Sequence, residues 1–231
     1  MHRIVKTSVK TLLLVVALFS SFSLLAHGVD EVTKQFLLAN HGVAIFPFMY
    51  IGAKHMLTGY DHLLFLVGVI FFLFKGKDII IYVSLFTVGH SVTLLYGVFS
   101  NIDANPYLID AIIGLSVVYK GFDNLGGFKR IFNFQPNTKA AVMIFGLFHG
   151  FGLATKIQAF QLPSNGLFSN IISFNIGVEI GQFLALGIVL IILNIWRRHS
   201  SYLSFSILTN SALMSAGIVL VGWQLSGYFV G

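Results

Sequence analysis

Six ionisable side chains stand where such groups are costly. His55, Asp61 and His62 lie at the head of the run Leu63 to Phe74, which otherwise reads as lipid-soluble helix. His90, His149 and Glu179 fall inside three later apolar stretches. An imidazole or carboxylate within a membrane span is expensive, so each is a functional candidate by default. Several imidazoles with carboxylates suit a divalent transition metal, and the same groups can relay protons. The chain has no cysteine, which excludes disulfides and thiolate sites and leaves His, Asp, Glu, Asn and backbone as ligands.

The spacing adds detail. His55 and His62 are seven residues apart, two turns and one face on a continuous helix. Gly59 between them can break that helix, and the pair can converge either way. Asp61 either binds the ion or holds an imidazole N–H. His90 is flanked by Gly89, Ser91 and Thr93, and His149 by Gly146 and Gly150, small residues that let helices approach closely. Asn175, Glu179 and Gln182 follow i, i+4, i+7 spacing and make one polar face, while Gly177 and Gly181 make a small-residue packing face. Ser91, Asp110, Asn175 and Gln182 are the expected supporting polar groups. Cleavage after Ala26 would make His27 an amino-terminal residue able to chelate through amine and ring, an additional candidate ligand.

The elements that position these groups must be membrane helices. The chain is 56% hydrophobic and only 10% charged, against about 25% charged in a soluble domain. The expected fold is an all-α integral membrane protein, a bundle of about six transmembrane helices after an N-terminal signal peptide. Residues 1–26 carry Arg3, Lys6 and Lys10, an apolar run and Ala26, the pattern of a signal peptide, with a retained anchor as the alternative. Residues 27–52 read as a periplasmic or interfacial segment; its part 41–52 is too short to span and contains Pro47. Residues 53–231 hold the six expected spans, at 57–74, 79–99, 106–120, 139–156, 168–196 and 203–224.

The net charge of +6 lies mostly in the connections, which argues against a nucleic-acid partner. Lys75 and Lys77, then Lys120, Lys129, Arg130 and Lys139, then Arg197 and Arg198 occupy every second connection. Basic loops mark the cytoplasmic side, so the mature N-terminus and the C-terminus are expected outside a bacterial inner membrane, with the lipid bilayer as partner.

Taken together, the series His55-x5-Asp61-His62-Leu-Leu-Phe, Phe86-Thr87-x-Gly-His90-Ser91-x-Thr93-Leu, Gly146-Leu-x-His149-Gly-x-Gly and Asn175-x-Gly-x-Glu179-x-Gly-Gln182 resembles the HupE/UreJ family of bacterial membrane proteins. The motif Gly-Tyr-Asp-His-Leu-Leu-Phe, with Met56 where hydrogenase-associated members usually carry proline, is similar to a divergent branch of that family. The resemblance implies a nickel permease with a cleaved signal, about six spans, and His55, Asp61 and His62 as nickel-handling residues.

The expected function is therefore secondary transport of a divalent transition metal, nickel by resemblance. His55, Asp61, His62, His90, His149 and Glu179 form the expected metal site. Two other readings stand beside it: an intramembrane hydrolase in which a zinc-bound water is activated near Ser91 by Glu179 or Asp61, and a membrane subunit with a structural metal.

Overall fold

The computed structural model describes residues 35, 42–102, 104–159 and 164–230. The expected signal peptide, His27 and most of the segment before Gly42 lie outside the described residues. Every regular element among the described residues is helical: α1 (Ile45–Thr58), α2 (Tyr60–Ile70), α3 (Gly76–Ser100), α4 (Pro106–Asn124), α5 (Gly127–Phe132), α6 (Thr138–Ala159), α7 (Leu167–Arg197), α8 (Ser201–Ser204) and α9 (Ser206–Val230).

Four of these helices, α3, α6, α7 and α9, are long and apolar enough to cross a membrane. Their outward faces stay apolar: Ile188, Ile191, Ile192 and Ile195 on α7 are all more than half exposed. Exposed aliphatic side chains in such a stripe belong against lipid rather than water.

The start of the bundle differs from the sequence expectation. The first helix begins at Ile45 rather than near residue 57, so the expected boundary at 52/53 falls inside α1. Pro47 does not break it. It is the third helical residue, and the first N–H groups of a helix have no intrahelical acceptor to lose. The interruption comes instead at Gly59, whose extended backbone separates α1 from α2.

The two short helices together lie along α7. At one end, Asn170 accepts from Ala44 N–H (2.7 Å) and donates to the Gly42 carbonyl (2.8 Å). At the other, Arg197 donates to the carbonyls of Ile70 (2.6 Å) and Phe71 (2.9 Å), and the Tyr202 hydroxyl also donates to Phe71 O. From Asn170 to Arg197 is about 40 Å at the helical rise, more than a bilayer core of about 30 Å. The α1–α7 contact is parallel and backbone-close: a methyl group at Gly177 would run into the Met49 carbonyl, and one at Gly181 would press on Ala53.

Two further pairs complete the scaffold. α3 and α6 are parallel, with Gly146 set against Phe86 and Gly150 against His90. α4 and α9 are antiparallel, Gly114 meeting Val221 and Gly121 meeting Met214. Asn105 caps α4 by accepting from Tyr107 and Leu108 N–H, with Pro106 at the first helical position. α4 carries Asp110, Lys120 and Asp123, and falls outside the four long apolar helices.

Candidate functional site

The break at Gly59 lets Tyr60 start a new helix, and Asp61 falls in its first turn, where a carboxylate suits the helix N-terminus. Asp61 Oδ1 accepts from the His62 backbone N–H and from His62 Nδ1, both at 2.9 Å. With Nδ1 committed as donor to the carboxylate, the Nε2 lone pair of His62 is free. It is buried and has no hydrogen-bond partner.

The His62 ring is central to the other imidazoles. Its centroid lies 4.7 Å from that of His149, 5.4 Å from His55 and 5.8 Å from His90, with the rings edge-on at 83°, 78° and 68°. Phe86 and Phe65 close the surroundings, at 5.0 Å and 5.5 Å from the His149 ring. His62, His90 and His149 are all at most 3% exposed.

Ser116 sets the His149 tautomer. Its hydroxyl donates to Ile113 O at 2.6 Å, so its oxygen is left to accept from His149 Nε2 at 3.2 Å. His149 Nδ1 then carries the lone pair, and it too is buried without a partner. Both nitrogens of His90 and Nε2 of His55 are likewise buried and unpartnered. A buried polar atom left unpaired costs about 1–3 kcal/mol. Five such ring nitrogens in one region therefore call for a reason.

A second polar region lies on the α3–α7 seam. Ser91 donates to Glu179 Oε1 at 3.3 Å, and Asn175 Nδ2 reaches Ser91 Oγ at 3.1 Å and Glu179 Oε1 at 3.4 Å. One turn along, Thr87 donates to Gln182 Oε1 at 3.0 Å. A third polar pair joins α4 to α6: Lys156 Nζ lies 2.9 Å from Asp110 Oδ2 and 3.1 Å from Oδ1.

A family model described as HupE / UreJ protein matches residues 31–231. The chain belongs to the HupE/UreJ family. That family is associated with nickel and cobalt transport, and with four apolar helices the membership points to a membrane location. No curated protein and no solved structure gave a match.

In this HupE/UreJ chain the expected site residues divide. His55, His62, His90 and His149 are brought into one region, with Asp61 against His62. Glu179, Ser91, Asn175 and Gln182 are engaged with one another and with Thr87 on the seam. His27 lies outside the described residues. As the side chains stand, no three His, Asp or Glu residues among the described ones are arranged to hold a metal ion. Sequence reasoning gave no role to Lys156, the partner of Asp110. Its signal was its place seven residues after His149, on the same face of α6.

Proposed function

We propose that the chain is a secondary permease for a divalent transition metal, nickel or its near neighbour cobalt. In this reading it crosses the bilayer six times, through the four long helices, α4 and the broken pair α1–α2. Membership of a family associated with nickel and cobalt transport supports the transport class. The observation that carries the reading is the set of buried, unpaired imidazole nitrogens around His62.

Those nitrogens suit metal capture because the rings that carry them lie close together, with one pair of ring centres at a ligand-like spacing. With metal–nitrogen bonds of about 2.1 Å, two imidazoles on one ion have centroids about 4.5–5.2 Å apart. The His62–His149 separation of 4.7 Å lies in that range, and His55 at 5.4 Å is just beyond it. Capture of an ion would require the edge-on rings to turn toward one another, and the Asp61–His62 bond is the carboxylate–imidazole arrangement that fixes a metal ligand's tautomer. His90 and His149, on the α3–α6 pair, take the ion onward from His55 and His62, on α1 and α2. Glu179 stays outside this ligand set.

The test is uptake into proteoliposomes together with elemental analysis. Wild type should show saturable nickel or cobalt flux and bind metal, and His62→Ala should abolish both. A wild-type protein that binds neither ion refutes the proposal.

A further inference from the structure

Between α2, α4, α6 and α9 lies a small cavity, part polar and part apolar, that the imidazoles do not explain. Lys156 holds both oxygens of Asp110, with side chains 22% and 10% exposed. Gly152, one turn before Lys156, lets α4 and α6 pack closely: a methyl group there would lie 2.9 Å from Ile113 Cδ1 and 3.2 Å from Ile109 Cγ2. The cavity beside the pair is about 20 Å³, lined by Tyr60, Asp61, Asp110, Lys156 and Gln224. That is room for about one water. Asp61 therefore has the Asp110–Lys156 pair across the cavity on one side and His62 on the other.

We infer that the Lys156 ammonium is a resident counter-cation guarding the imidazole group, and that a divalent cation gains access by displacing it from Asp110. This rests on the permease reading for its cargo, and three physical points carry it. While it stays there, the Lys156 ammonium neutralises Asp110, so the pair offers an arriving cation no net negative charge. With Lys156 swung away, Asp61 and Asp110 leave two negative charges, which match one divalent ion. A monovalent ion offers the carboxylate no more charge than the ammonium it would replace, so the exchange favours divalent over monovalent cations. The flexible four-carbon stem of lysine permits the movement, whereas the one-water cavity excludes a hydrated divalent ion while Lys156 is in place.

The absence of cysteine in the full chain allows a clean test. Ser116→Cys places a thiol against His149, behind the pair. In the full chain in proteoliposomes, its labelling by a membrane-impermeant methanethiosulfonate should be slow. It should quicken about tenfold with Lys156→Met and stay slow with Lys156→Arg, which keeps the charge. The double variant Asp110→Asn/Lys156→Met removes both charges of the pair, so it controls for misfolding caused by removing the ammonium alone, and it should also label fast. In nickel uptake, Lys156→Met should lower KM about tenfold. Labelling unchanged in both Lys156→Met and the double variant overturns the inference. Labelling that depends on Lys156 in a protein that moves neither nickel nor cobalt upholds the gate and refutes the permease reading instead.

Discussion

Two polar regions of similar size lie on either side of α3, and they are built on opposite terms. On the α3–α7 seam, Ser91, Asn175 and Glu179 bond one another and Thr87 bonds Gln182, at 3.0–3.4 Å, leaving one buried atom, Asn175 Oδ1, unpaired. Around His62, the imidazoles present five buried nitrogens with nothing to bond. His90 and Ser91 are neighbours in sequence, yet one helical residue turns the chain by about 100°, so each serves a different region. A seam whose polar groups mostly pair with one another holds helices together. A set of buried, unpaired ring nitrogens is a standing cost that folding alone does not explain.

The largest effect that would sharpen this contrast is at Asp61. Asp61→Asn keeps the shape but weakens the grip on His62 Nδ1–H, which fixes the tautomer. Outer partners of metal-bound histidines are worth about 10–100-fold in affinity. Nickel affinity measured by titration should fall within that range. An unchanged affinity would detach Asp61 from the imidazole group.

His90 tests the cost directly. His90→Leu, close to it in volume, removes two buried unpaired nitrogens. Stability against denaturant should rise by about 1–3 kcal/mol while uptake is lost. A loss of stability would mean that the ring has partners of its own, and the contrast with the seam would fail.

These residues also show what could be read from the chain itself. α3, α6, α7 and α9 were legible as apolar runs, because lipid-facing helices need no alternation to announce them. α1 was not. Pro47 and the neighbouring glycine look like breakers in sequence, and only the structure reveals that Pro47 occupies a first-turn position and that Gly52 lies against the Phe174 carbonyl. Residue type and spacing marked His55, His62, His90, His149 and Glu179 as candidates and put Glu179 on one face with Asn175 and Gln182, but could not say which helix that face meets. Glu179 was therefore grouped with the imidazoles, although its hydrogen bonds run to Ser91 and Asn175. Lys156 had no role in the sequence reading because its partner, Asp110, is 46 residues away on another helix.

Glu179→Gln asks whether the two regions are one. The amide still reaches Ser91 and Asn175, so nickel affinity should change by less than about threefold. A loss on the scale of Asp61→Asn would merge the seam with the imidazoles and restore Glu179 as a ligand.

Thr87→Val is the smallest effect. It deletes a single interhelical hydrogen bond, to Gln182 Oε1, while keeping the branched shape. Such bonds average about 0.6 kcal/mol in membrane bundles, because the unfolded helices find other partners in the bilayer. Unfolding of the variant should show a loss of that order, with nickel uptake at the wild-type level. The value is small because the seam is redundant: Ser91, Asn175 and Glu179 still join α3 to α7 one turn away. A loss of uptake larger than the loss of stability would mean that the seam moves during transport, and that α7 shifts against α3 as the ion passes.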